Sequence, residues 1–184
     1  MKNDWAGVFP ALMTELKPDG SLDLEGTARH MESCLDAGVT GFVMLGTLGE
    51  NPSLYPDEKE QVLRMAVETV AGRVPVLSGV AEYTTDMAID HVRRAEKAGC
   101  DGLMVLPCMV YTQDQREAVA HFRGVAEATD LPVMIYNNRV GYKVDVSPES
   151  FNELADCETI VAVKESSHDS RRVTDMINVC GDRY

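Results

Sequence analysis

The sequence predicts an α/β fold, a (β/α)8 TIM barrel of which residues 1–184 supply about the first six βα units. The main observation is a series of short apolar runs that alternate with amphipathic segments. From the second run onward the runs start about 28 to 33 residues apart, the length of one strand and one returning helix. The runs cover residues 7–12, 41–45, 74–77, 102–106, 131–136 and 160–164.

Helix starts are predicted between several of these runs. The stretch 147–149 (Ser-Pro-Glu) offers an N-cap, a proline suited to the first helical position and an acidic residue for the first turn. Capping-box spacings place two other starts, one at Asp57 with Glu60 and one at Thr112 with Gln115. These starts separate the apolar runs into strand and helix units.

Helix ends are marked by glycine. Gly38 and Gly99 each precede an apolar run within an A-G-x-x-G repeat, and glycine is favoured just past a helix end. Strands that alternate with helices are parallel, which allows either an open doubly wound sheet or a barrel. The regular unit length favours the barrel, and no G-x-G-x-x-G follows the first run as in a dinucleotide-binding sheet.

The length bears on how much of a barrel is present. A complete barrel takes about 250 residues and eight units, and this chain has 184 residues. Because the sequence stops at 181–184, just after a sixth helix, we expect residues 1–184 to form one barrel domain that is incomplete at its C-terminus. The runs 7–12 and 160–164 would then be open edges, so we expect this stretch alone to be poorly soluble and inactive.

Composition narrows the class of protein. A formal net charge of −13 argues against nucleic acid and anionic membrane partners. No apolar run approaches the ~18 residues of a membrane span, and residues 1–5 do not begin a secretory signal, so we expect a cytoplasmic protein. The five cysteines form no Cys-x-x-Cys pair and the four histidines lack metal-ligand spacing. We therefore expect free thiols and no bound metal.

Lys164 is the most informative residue at a predicted strand end, where barrel enzymes carry their chemistry. Strand alternation places Lys164 on the same face as Ala162 and opposite Val163. The small alanine leaves room for the lysine stem if that face points into the barrel. An amine shielded from water there becomes a usable nucleophile. The alternative is a lysine at the rim that points into water.

Two further strand ends offer complementary groups. Tyr136 ends the preceding run, and its phenol can relay protons during carbinolamine formation; the alternative is a tyrosine that caps the core. Gly46, Thr47 and Leu48 lie in a glycine-flanked turn whose amides and Thr47 hydroxyl can hold a carboxylate. The alternative there is a turn that only requires left-handed backbone angles.

These strand-end motifs, GTLGE at 46–50, Tyr-Asn at 136–137 and VKES at 163–166, together resemble the dihydrodipicolinate synthase / N-acetylneuraminate lyase family. The likeness covers essentially the whole chain. It implies a barrel, usually a homotetramer, that forms a Schiff base between a lysine and pyruvate or another 2-oxo acid and needs no cofactor. By resemblance Lys164 is the Schiff-base lysine, Tyr136 the proton relay, and Thr47 with the Leu48 amide the carboxylate binder.

The chain departs from the synthase branch of that family at several positions. Leu48 stands where that branch usually has a second threonine, and Cys-Met at 108–109 replaces Tyr-Tyr, with Tyr111 two places late. Gly141 stands where an arginine usually binds the second substrate, and Arg139 replaces a common proline and is a candidate acid-binding residue. These departures argue against true 4-hydroxy-tetrahydrodipicolinate synthesis.

The leading functional hypothesis is a Schiff-base lyase that catalyses aldol cleavage or condensation, or a dehydration or deamination. One alternative is a non-catalytic family member that binds a 2-oxo acid or acts as a scaffold. Another is a barrel that binds phosphorylated sugars or flavin, whose phosphate site normally follows strands seven and eight.

Overall fold

A computed structural model describes residues 5–184, and the N-terminal positions 1–4 lie outside the described residues. Its centre is one sheet in which every neighbouring pair of strands is parallel and the strand order follows the chain order. The strands are β1 (Phe42–Met44), β2 (Val76–Val80), β3 (Gly102–Val105), β4 (Val133–Asn137) and β5 (Ile160–Glu165). Each strand forms from a predicted apolar run.

Helices connect the strands. They are α1 (Leu24–Asp36), α2 (Pro56–Val70), α3 (Thr85–Ala98), α4 (Gln115–Ala126), α5 (Arg139–Tyr142), α6 (Pro148–Glu153) and α7 (Arg171–Cys180), with a 3-10 turn at Asn51–Ser53. Within residues 5–184, none of these helices has the length and apolarity that crossing a bilayer requires.

The first predicted run, residues 7–12, does not form a strand. It contributes one parallel bridge, Ala11 with Val43, flanked by hydrogen bonds from Leu12 N to Val43 O and from Val43 N to Pro10 O, both 3.0 Å. Pro10 has no N–H to donate, which limits the ladder that this segment can build. Within residues 5–184, the expectation of six strands is therefore corrected to five strands and this bridge, although the segment still runs parallel beside β1.

The two faces of the sheet are covered differently. One face carries residues such as Phe42, Leu103 and Ile135, and it packs against side chains from α1–α4, α6 and α7 in the main core. On the other face, Leu77 and Met104 belong to a second cluster, to which, among the described helices, only α5 contributes. A doubly wound sheet has helices on both faces. Helices on one face are the arrangement of a barrel wall, as the sequence predicts.

The predicted helix starts are partly correct. Ser147 caps α6, its hydroxyl accepting a hydrogen bond of 3.2 Å from Ser150 N. The two predicted capping boxes are each wrong by two residues. In α4 the box is formed by Asp114 and Glu117, because aspartate is the stronger N-cap. In α2 the helix begins at Pro56, whose fixed φ suits the first helical position.

Candidate active site

Lys164 and Tyr136 lie side by side on the inner face of the sheet. They are register partners across β4 and β5, and Lys164 Nζ is 4.1 Å from the centroid of the Tyr136 ring. The same Nζ is 3.8 Å from Met104 Sδ, whereas the neighbouring Val163 packs with the helix-facing core. The alternation of β5 thus directs the partly buried amine inward, against an aromatic face and a thioether.

The Tyr136 hydroxyl accepts a hydrogen bond from Asn138, a residue that the sequence patterns did not single out. Asn138 Nδ2 donates to the Tyr136 hydroxyl oxygen at 3.2 Å, and Asn138 Oδ1 accepts from Gly141 N at 2.9 Å. Asn138 therefore caps α5 and orients the phenol at the same time. Its position directly after a strand, with the residue type of an N-cap, was a signal that could have identified it.

Tyr142 is the second missed residue. Its hydroxyl lies 2.6 Å from Thr47 Oγ1, and its ring meets the Tyr136 ring edge-on, with centroids 5.4 Å apart. Burial raises the pKa of Tyr142 above its ordinary value, the nearby Tyr136 raises it further, and the Thr47 hydrogen bond acts in the opposite direction. Tyr142 follows Tyr136 by six residues and ends α5, in the segment after β4 where barrel sites are built.

The glycine-flanked turn closes tightly after β1. Gly49 N donates to Gly46 O at 2.9 Å, and a Cβ at Gly49 would lie 2.8 Å from Leu45 N. Neither glycine has a positive φ, so Gly49 meets a demand for space rather than for left-handed angles. The turn presents an exposed Thr47 towards Tyr142 and leaves the Leu48 side chain in solvent, 64% exposed.

Arg139 and Tyr111 lie at the periphery of this group. The Arg139 guanidinium is half-exposed and pairs with Asp145 at 3.8 Å. Tyr111 is 83% exposed and borders a surface depression shared with Tyr142. The structure therefore brings Lys164 and Tyr136 into direct contact and links Thr47 to Tyr136 through Tyr142, while Arg139 and Tyr111 stand at the rim.

A hydrogen-bonded network stabilises the carboxyl ends of β4 and β5. The buried Asn137 donates through Nδ2 to Glu165 Oε2 at 2.9 Å and to Asp145 Oδ1 at 3.1 Å, and its Oδ1 accepts from Val146 N at 3.0 Å. Arg172 pairs with both carboxylates. Because Asn137 and Glu165 directly follow Tyr136 and Lys164, this network fixes the ends of β4 and β5.

The cysteines are unpaired thiols within residues 5–184. Cys108, after β3, has its Sγ 3.1 Å from His121 Nδ1, and His121 Nε2 lies 3.0 Å from Leu106 O. Burial raises the pKa of the Cys108 thiol and lowers the pKa of His121, so both are neutral near neutral pH. In the part of the chain that the structure describes, no three His, Cys, Asp or Glu side chains are grouped as metal ligands.

Known proteins resemble this chain in both sequence and structure. The profile of the dihydrodipicolinate synthetase family matches residues 4–184. A 4-hydroxy-tetrahydrodipicolinate synthase of Sphingopyxis alaskensis is 37% identical over 170 residues, covering 92% of this chain and 58% of that protein.

The same family appears among solved structures. The dihydrodipicolinate synthase of Aquifex aeolicus superimposes with a TM-score of 0.92 at 33% identity, over 97% of this chain and 61% of that one. YagE, a prophage protein of E. coli K12 from the dihydrodipicolinic acid synthase family solved in complex with pyruvate, gives a TM-score of 0.90 at 30% identity, over 96% and 60%. The chain thus spans about 60% of the length of these relatives. On the family profile, the shared sequence and the shared barrel fold, the chain belongs to the dihydrodipicolinate synthetase family.

Proposed function

We propose that the protein is a lyase that binds pyruvate or another 2-oxo acid as a Schiff base on Lys164. The observation that carries the proposal is the placement of Lys164 Nζ on the inner face, 4.1 Å from the Tyr136 ring and 3.8 Å from Met104 Sδ. An amine beside apolar groups and a phenol has both a shielded nucleophile and a proton carrier at hand. The pyruvate seen with YagE, a relative of this chain, supports the choice of ligand.

The proposed chemistry follows from these groups. The Lys164 amine attacks the keto carbon, and the Tyr136 phenol protonates the resulting alkoxide to give a carbinolamine. The phenolate then takes a proton from the nitrogen. The re-formed phenol donates this proton to the carbinolamine hydroxyl, which leaves as water and gives the protonated imine. The protonated imine accepts the electron pair of an adjacent carbanion, so cleavage or formation of a C–C bond, or loss of water or ammonia, can follow. No further cofactor is required by this scheme.

The carboxylate of the 2-oxo acid has a proposed site in the turn after β1. The Thr47 hydroxyl and the Leu48 amide supply donors in the turn after β1. Arg139 and Tyr111 are proposed to meet the distal part of a substrate at the rim. We further propose that residues 1–184 belong to a single barrel domain, and that the protein is cytoplasmic and, by family resemblance, a homotetramer. The net charge of −13 supports the proposal that neither nucleic acid nor membrane is a partner.

Borohydride trapping tests the Schiff base directly. The protein, expressed from its complete gene, is reduced in the presence of pyruvate, and the product is read by intact mass and peptide mapping. We expect one reduced pyruvate adduct on Lys164, and its loss in Lys164→Ala. Lys97 is an exposed lysine in the last turn of α3, and Lys97→Ala should retain the adduct. An adduct that persists in Lys164→Ala would refute the assignment. Turnover of candidate 2-oxo acids then separates an enzyme from a protein that only binds them.

A further inference from the structure

The hydroxyls of Tyr142 and Thr47 form a contact that joins two distant parts of the chain. They are 95 positions apart in sequence and 2.6 Å apart in space. Tyr142 is half-buried and packs with the inner-face cluster that contains Leu77 and Leu106. Its ring also rests edge-on against Tyr136. The packing of the ring, and not only the hydrogen bond, therefore sets where this hydroxyl points.

The backbone around Tyr142 is equally constrained. Tyr142 N donates to Asn138 O at 2.9 Å, while the Asn138 side chain caps the same short helix at Gly141. Asn138 also contacts the Tyr136 hydroxyl. The segment after β4 is thus anchored at its start, and its far end carries the Tyr142 phenol to the turn that holds Thr47.

The direction of the hydrogen bond follows from acidity. A hydroxyl donates one hydrogen and accepts through two lone pairs. Either hydroxyl can be the donor in this geometry. Because a phenol is a stronger acid than an aliphatic alcohol and hence a stronger donor, we assign the Tyr142 O–H as the donor to Thr47 Oγ1. Because burial raises the pKa of Tyr142, its proton stays in place near neutral pH. The hydrogen of Thr47 is then left free to donate to a third group.

We propose that Tyr142 is a positioning residue whose hydroxyl directs the O–H of Thr47 towards the carboxylate of the bound 2-oxo acid. This inference rests on the proposed function and deepens it. Because the Tyr142 phenol donates to one lone pair of Thr47 Oγ1, the hydrogen of Thr47 is not used on Tyr142 and can point to the anion. The selectivity that results is for carbonyl compounds with a negatively charged carboxylate next to the carbonyl.

The test compares an anionic ligand with a neutral one in Tyr142→Phe. We expect the pyruvate concentration for half-maximal borohydride trapping to rise about 10-fold, the scale of a weakened hydrogen bond to a charged group. The maximal trapping rate should change by less than about 2-fold. Methyl pyruvate, which carries no charge, should show a shift of less than about 2-fold. In the Thr47→Val background, Tyr142→Phe should have no further effect on pyruvate, because the partner is gone.

Controls separate this role from others. Tyr55→Phe changes an exposed tyrosine at the start of α2 and should leave both ligands unaffected. Near-UV circular dichroism reports whether each variant is folded, and Thr47→Val provides the same charge comparison if Tyr142→Phe does not fold. Equal shifts for pyruvate and methyl pyruvate, or a lower maximal rate alone, would overturn the inference. Absence of trapping in the parent protein would refute the Schiff base itself, and the role of Tyr142 with it.

Discussion

Tyr136 and Lys164 are register partners on adjacent parallel strands, and this pairing places Lys164 Nζ 4.1 Å from the centre of the tyrosine ring. Backbone pairing fixes both side chains on the inner face, so their proximity does not depend on the tyrosine hydroxyl. A change that removes only this hydroxyl should therefore leave the geometry intact and expose the chemical contribution of the phenol.

Tyr136→Phe should slow imine formation by roughly 100-fold or more, the scale of a positioned acid or base. The ring stays in place against Lys164 and Tyr142, so the fold and the final adduct should be retained. The measurement is single-turnover trapping with pyruvate, quenched by borohydride at successive times, with Tyr55→Phe as the matched control. Equal rates in the variant and the parent protein would exclude Tyr136 from proton transfer.

The parts of the fold that depend on local patterns could be predicted from sequence. Five apolar runs form strands, and strand alternation places Lys164 on the face opposite Val163. Which of these faces points inward depends on the packing of Val163 with the helix-facing core. The run 7–12 was expected to be a strand but forms only a bridge. Its apolar pattern does not reveal that Pro10 lacks an N–H to donate to the ladder. Both predicted capping boxes lie two residues from the observed N-caps, because Asp114 caps α4 better than Thr112 and Pro56 begins α2.

The hydroxyl pair of Thr47 and Tyr142 could not be predicted in the same way. Its members are 95 positions apart. Their contact depends on how the turn after β1 and the segment after β4 pack at the carboxyl ends of the strands. No periodic pattern within one segment of the sequence indicates a contact between two segments so far apart. The short α5 was also invisible to periodicity, since four residues make about one helical turn.

Asn137→Asp should destabilise the protein by about 3 kcal/mol or more. In the native protein the buried Nδ2 donates to Glu165 and to Asp145; a carboxylate would lose both hydrogen bonds and face two like charges. Hydrogen bonds to charged groups each contribute about 1.5–3 kcal/mol. Urea unfolding of the variant measures the loss. Asn178→Asp, an exposed position in α7, should change the stability by less than about 0.5 kcal/mol.

The ion pair of Lys59 and Glu82 is buried, with Nζ and Oε1 2.7 Å apart. Lys59→Met leaves the Glu82 charge without its cation, and we expect a loss of about 3–5 kcal/mol in the free energy of unfolding. The double variant Lys59→Met/Glu82→Leu should recover most of that loss, because no unpaired charge stays buried. The exposed i,i+4 pair of Arg64 with Glu60 is the control, and Arg64→Met should cost less than about 1 kcal/mol. A double variant as unstable as the single one would contradict this account.

His91 should make the stability of the protein depend on pH between about 4 and 6.5. Burial, with the nearby Lys59 ammonium as a second cause, lowers the pKa of His91 from 6.5 to about 4. In this window the unfolded chain binds a proton that the native His91 does not, so the free energy of unfolding falls as the pH decreases. The full effect is about 3 kcal/mol at 1.36 kcal/mol per pH unit.

The measurement for His91 is urea unfolding of the parent protein and of His91→Gln at pH 6.5 and pH 5. A glutamine can keep a hydrogen bond to Ser78, which lies 2.9 Å from His91 Nε2, but it takes up no proton in this range. The decrease in stability from pH 6.5 to pH 5 should therefore be smaller in His91→Gln than in the parent protein. Because His121, whose pKa burial also lowers, is present in both proteins, its contribution cancels in the comparison. Identical pH dependence in His91→Gln and the parent protein would show that native His91 takes up its proton over the same pH range as in the unfolded chain.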